Sequence, residues 1–185
     1  MKQTISITIE HRVVASNRSY EQVKKSLEAR LGVAGNLNEL GQQLAAVKAS
    51  WEQATQAIEK QLGTSGFSLF STVDHGVLLS LAGKPRRVSQ YAIGNPLLAL
   101  QMVERLPEVA LYAPLRLAVY EEVEGVGKVS LITIVDVVSP LKAESYPSLA
   151  HDQSGFARLS IVVTASVSGV WFTSSADARS RHGLL

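Results

Sequence analysis

The 185-residue chain contains no cysteine, which removes disulfides, thiolate nucleophiles, zinc ribbons and iron-sulfur clusters in one step. A chain without thiols fits a reducing compartment, and the expected location is cytoplasmic. Charge of one sign is not in excess: 18 Lys and Arg against 16 Asp and Glu leave +2, so there is no basic face of the kind nucleic acid demands. Long apolar runs are also missing. The opening MKQTISITIEHRVV sets Lys2, Glu10 and His11 too close together for the core of a signal peptide. One uncharged run, from Leu159 to Ala176, has the length of a membrane span, but seven of its residues are Ser or Thr and it reads as a strand pair. No membrane and no nucleic-acid partner is therefore expected.

What is present suits one globular domain. At 46% hydrophobic and 18% charged, the chain can bury a core without help from metal or cross-links. There is no internal repeat, low-complexity tract or linker that divides it.

ISITIEHRVVAS alternates apolar and polar residues and is rich in β-branching, which predicts a first strand over residues 4 to 15 with Ile5, Ile7 and Ile9 on one face. Ser19 followed by Gln22 is an N-cap pattern, and Tyr20, Val23, Leu27 and Leu31 form the stripe of an amphipathic helix that stops at Gly32. Asn36 with Glu39 opens a second, longer helix. Leu37, Leu40, Leu44, Val47, Trp51, Ala54 and Ile58 recur along it at steps of three and four, and Gly63 ends it. That stripe, Trp51 included, is expected to pack on the protein's own sheet rather than on a partner helix.

GFSLFSTVDHG reads as a strand with Phe67, Leu69 and Ser71 on one face, followed by the exposed loop LAGKPRR. Residues Arg87 to Ile93 form the next strand. Gly94 is expected to allow a sharp reversal, Asn95 to cap a helix from Pro96 to about Leu106, and Pro96 to occupy the position where a missing N–H costs nothing. That helix buries Leu98 and Met102 and stops before Pro107. PLRLAVYEE returns as a strand with Leu115, Leu117 and Val119 on one side, and KVSLITIVDVV, after Gly125 and Gly127, reads as another.

Three blocks in order, GFSLFSTVDHG, YAIGNPLLALQM and LYAPLRLAVYEE, resemble the family called domain of unknown function 302. The residues that carry the resemblance are the Asp74-His75 pair, the Gly94-Asn95-Pro96 junction and the strand from Pro114 to the acidic end at Glu121 and Glu122. It covers about residues 4 to 130, and the longer second helix with its Gly-x-Ser-Gly-Phe approach is similar to fungal versions. The resemblance implies a compact α+β domain, often a homodimer, with no assigned catalytic mechanism. The expectation is an α+β fold with a mostly antiparallel sheet of four to six strands against two to three helices. A single domain spans 1–130, and a divergent C-terminal segment, 131–185, forms extra strands or a poorly packed tail.

His75 sits beside a carboxylate at a predicted strand end near the Gly-Asn-Pro junction, so it is the candidate catalytic residue, with Glu121 or Glu122 as the partner carboxylate. The simpler reading makes it a histidine bonded to backbone, tying the strand end to the next loop. Asp74 and His75 cannot form a direct dyad on one strand, because neighbours point to opposite faces. Asp74, His75, Asn95 and Arg87 are the candidate ligand-binding set, although capping already accounts for Asn95. Lys84, Arg86 and Arg87 read most simply as a solvated loop. No HExxH, GxSxG, phosphate loop or dinucleotide fingerprint occurs, and no metal or cofactor is expected.

Three readings follow. The first is a module that binds a small-molecule ligand or a protein, as a homodimer and without chemistry of its own. The second is a small-molecule enzyme built on His75 and a glutamate. The third is a structural dimerisation module using the helix from Leu37 to Leu62 or a sheet edge.

Overall fold

The computed structural model describes residues 10–122 and 126–133. Its elements run β1 (Glu10–Ser19), α1 (Tyr20–Glu28), β2 (Gly32–Val33), α2 (Leu37–Ala46), α3 (Trp51–Glu59), β3 (Ser68–Asp74), α4 (His75–Leu81), β4 (Val88–Gly94), α5 (Pro96–Arg105), a 3-10 turn (Pro107–Leu111), β5 (Leu115–Glu121) and β6 (Val126–Thr133). The strands form a single six-stranded sheet in the order β1-β6-β5-β4-β3-β2. All pairs are antiparallel except the two-residue β2, which lies parallel to β3. This is the α+β class that the sequence pattern predicts.

The first helix begins where its residues dictate. Ser19 accepts from the Gln22 amide and the Gln22 side chain accepts from the Ser19 amide, a reciprocal capping box that satisfies two donors otherwise without partners. From that start Tyr20, Val23 and Leu27 fall on one face, and all three are buried. They meet Tyr91 and Ile93 of β4, Leu117 and Val119 of β5, and Phe67, with Val14, Leu31, Leu69 and Leu115 around them. Burial of each such side chain stabilises the fold by about 1.5–3 kcal/mol before entropy is counted.

Strand β4 shows what this does to the sheet: its residues alternate half-buried and buried along all seven positions. One face, carrying Ser89, Tyr91 and Ile93, lies under α1. On the other, no described residue of β1, β3, β4 or β5 beyond Ser68 is fully buried. Strand β3 departs from simple alternation, because a register shift between Leu69 and Ser71 leaves Phe70 without a counterpart on β4. Thr72, opposite Tyr91, therefore takes the face that unbroken alternation assigns to Ser71.

The long second helix of the sequence pattern is two helices. The stripe continues, but Ser50 and Gln53 form their own capping box, which starts α3 afresh, and Lys48 sits at φ 50° in the turn between. Neither helix has a fully buried residue, and Trp51, expected in the core, is 62% exposed. The chain also has α4, where the pattern shows only strand running into loop. With it and the divided helix, five α-helices occur among the described residues where sequence gives three. Gly94 does not reverse the chain at positive φ; it is the last strand residue, and a Cβ there would stand 3.3 Å from Phe70 and 3.5 Å from Pro114. Leu98 and Met102 of α5 are half-buried rather than core residues. The expected positions of Ile5, Ile7 and Ile9, and the strand beyond Thr133, lie outside the described residues.

Two glycines close the base of the α2–α3 excursion. The amides of Gly32 and Gly63 both donate to the Phe67 carbonyl, at 2.9 and 3.0 Å. A Cβ on Gly63 would overlap the Arg30 carbonyl and the Gly32 amide, and a Cβ on Gly32 would overlap the Gln61 carbonyl. Backbone cannot yield as a side chain does, so the Gly63→Ala variant is expected to lose about 3 kcal/mol of stability, the upper end for overpacking. Urea denaturation followed by circular dichroism measures it; a loss below about 1 kcal/mol would mean that the crossing is looser than described.

Candidate functional site

The strand β3 ends between Asp74 and His75, so the two side chains are released from strand alternation and take separate tasks. Asp74 caps α4, its Oδ1 accepting from the Gly76 amide at 2.8 Å. His75 opens that helix and places Nε2 3.0 Å from Oε1 of Gln90 on β4. Because an amide oxygen only accepts, Nε2 carries the proton in this contact. The expected backbone partner is replaced by a side chain. Gly76 is required by the tight return of the chain: a Cβ there would lie 2.8 Å from the Arg86 carbonyl.

Asn95 uses both ends of its amide. Oδ1 accepts from the Leu97 and Leu98 amides at 2.9 and 3.3 Å, and Nδ2 donates to the Gly66 carbonyl at 3.0 Å. Pro96 follows at the first helical position, as predicted. The cap thus starts α5 and also ties it to the loop before β3, with the amide oxygen fully engaged by the helix start.

Arg87 stands at the other end of β4, between two carboxylates. Its guanidinium is 3.7 Å from Glu21 on α1 and 3.7 Å from Glu121 on β5, and 6.0 Å from the centre of the Tyr20 ring. The Glu121 amide donates to the Arg87 carbonyl at 3.0 Å, and Arg86 Nε donates to the Glu121 carbonyl at 3.5 Å. With the Arg87 side chain 55% exposed, each ion pair contributes at most about 1 kcal/mol. The cluster pins the end of α1 to the sheet.

Of the predicted residues, Arg87 and Glu121 are therefore brought together, while His75 and Glu121 are not. Glu121 follows Leu117 and Val119 on the face under α1, whereas Gln90, between Ser89 and Tyr91, holds His75 on the opposite face. Glu122 lies just past the end of β5 and is exposed. Among the described residues no group of three His, Asp or Glu side chains converges to hold a metal.

Sequence reasoning placed Tyr20 in an apolar stripe but missed the buried hydrogen bonds of Tyr20 and Tyr91. Tyr20 shares a 2.6 Å hydrogen bond with Ser89, and Tyr91 donates to Glu28 Oε1 at 2.9 Å. Tyr20 and Glu28 begin and end α1, so these bonds fix the helix at both ends on β4. The partners are 69 and 63 residues apart, and no local spacing announces them. Burial and then the Glu28 carboxylate hold the Tyr91 phenol far above its usual range near 10.

That shift fixes a pH dependence. The folded state holds the Tyr91 proton more tightly than the unfolded chain, so its stabilisation is complete below the unfolded value of about 10 and is lost as pH rises above it. The difference in unfolding free energy between the protein and its Tyr91→Phe variant is expected to be flat from pH 7 to 9 and to narrow above about pH 10. Denaturation series across that range measure it, and a constant difference would show that Tyr91 ionises normally.

Among the described residues no helix is long and apolar enough to cross a membrane. No curated protein matches the chain. The crystal structure of an uncharacterized conserved protein DUF302 from Bacillus stearothermophilus is similar to it, with 16% sequence identity, a TM-score of 0.50, and coverage of 85% of this chain and 94% of that one. At that identity the likeness speaks for the fold alone. A family model described as Domain of unknown function DUF302 matches residues 44–162, starting and ending later than the stretch that carries the sequence resemblance. With more than half of its length matched, the chain belongs to the DUF302 family.

Proposed function

We propose that the protein is a binding module without chemistry of its own, which works as a homodimer through the sheet face that α1 leaves open. The observation that carries this reading is the alternation of β4, with every second residue buried under α1 and the rest only half covered. One register row crosses five strands, and on the open face it carries Val13 of β1, Ala118 of β5, Gln90 of β4 and Val73 of β3. Val13 and Val73 on that row are 51% and 46% exposed. An apolar row with a few polar groups suits a protein surface, whereas small-ligand sites are concave.

The area is adequate for a second copy. Five strands about 4.8 Å apart and about seven residues long project to roughly 550 Å². Side chains enlarge that toward the roughly 800 Å² per partner of a stable interface. The candidate residues support the non-catalytic part, because Asp74, Asn95 and Arg87 are each engaged in holding an element in place, and His75 and Glu121 stand on different faces. A small-molecule ligand is the secondary reading, and the cytoplasmic location expected from the sequence belongs with the first.

Sedimentation equilibrium tests the proposal. The protein is expected at twice the chain mass, and the Val13→Glu/Val73→Glu double variant as a monomer with unchanged circular dichroism. The Trp51→Glu variant, altered at the exposed start of α3, is expected to remain a dimer. A monomeric wild-type protein, or a double variant that still pairs, would exclude this face; turnover of any substrate abolished by His75→Ala would overturn the non-catalytic assignment.

A further inference from the structure

The excursion that carries α2 and α3 has a firm base and a thinly anchored body. At the base, the Ala34 amide donates to the Leu69 carbonyl, the Gly35 amide to Gln61 Oε1 at 3.1 Å, and Ser68 Oγ to the Gln61 carbonyl at 2.6 Å. Ser65 adds bonds from its amide and its hydroxyl to the Arg30 carbonyl. Above this base, from Asn36 to Lys60, hydrogen bonds among the described residues run within the segment, as the Asn36 cap, the helical ladders, the Ser50 box and the turn at Lys48, or pass only to the adjoining amides of Gln61 and Leu62. No residue of either helix is fully buried, Val47 is 74% exposed, and α3 touches α5.

We infer that residues 36–60 open as one cooperative unit, leaving the sheet and α1 folded. Free energy of local opening follows buried contacts and bonds to the remainder of the fold, and among the described residues this unit has few of either. The helices have ten and nine residues, too short to persist in water once detached, so opening exposes the amides of both, while the crossing at Gly32 and Gly63 keeps the two ends of the segment together. Opening uncovers the half-buried stripe of Leu37, Leu40, Leu44 and Ile58, so the unit is a built-in conformational device.

Native-state hydrogen exchange of the full-length protein in low urea is the test. Amides of α2 and α3 are expected to exchange at least about a hundredfold faster than those of α1 and β4, and to share one urea dependence. The Gln61→Ala variant, which removes the bond to the Gly35 amide, is expected to bring Gly35 into the fast group with β4 unchanged. Protection of α2 and α3 within about tenfold of β4 would overturn the inference. So would different urea dependences for the two helices, which would make them separate units.

Discussion

Everything else in the fold depends on how α1 lies across β4 and β5. The contact has an apolar centre, with Val23 and Leu27 on Ile93, Leu117 and Val119, and a polar fastening at each end, Tyr20 on Ser89 and Tyr91 on Glu28. The apolar part supplies most of the stabilisation but little direction, since burial is proportional to area and indifferent to small rotations. The two phenols supply the direction. A buried hydroxyl without a partner costs about 1–3 kcal/mol, so the helix is held at the one setting that satisfies both. The exposed cluster of Arg87, Glu21 and Glu121 extends the same fastening into water, where it defines geometry more than it adds energy.

Once α1 occupies one face, the other face inherits its character by default. Strand alternation sends every second side chain away from the helix, and among the described residues the sequence meets that with small and half-apolar side chains and with the exposed Arg116 opposite Ala92. Ala92 and Ala118 keep the face flat, Val13 and Val73 make it apolar, and Gln90 with His75 gives it a polar spot. A face of this kind is neither a second core nor a solvated wall. That intermediate composition is compatible with the proposed contact between two copies, although such a composition is also common on ordinary surface.

The sequence disclosed the elements better than their partners. The capping box at Ser19, the Tyr20-Val23-Leu27 stripe, the Asn95-Pro96 start of α5 and the Leu115-Leu117-Val119 face are all local patterns, and all are found in the structure. The stripe from Leu37 to Ile58 misled, because a second cap at Ser50 lies within it and periodicity is blind to a turn that preserves phase. Helix α4 was hidden for a different reason: Val77, Leu78, Leu79 and Leu81 crowd into one short apolar run without helical spacing, directly after a strand. The tyrosine fastenings, the His75–Gln90 contact and the glycine crossing join residues far apart in sequence, and a single chain read end to end carries no sign of them.

The same distinction explains why the residues that mark the family do not by themselves reveal a chemistry. Asp74 and Asn95 stand at helix starts, where their side chains complete the backbone's own hydrogen bonding. Gly94 stands where Phe70 and Pro114 crowd the strand end. Residues of this kind are dictated by the course of the backbone, so a sequence pattern built from them identifies a fold. What such a pattern leaves unspecified is surface, and in this chain that includes the open sheet face and the α2–α3 unit, where the backbone imposes little on the choice of side chain.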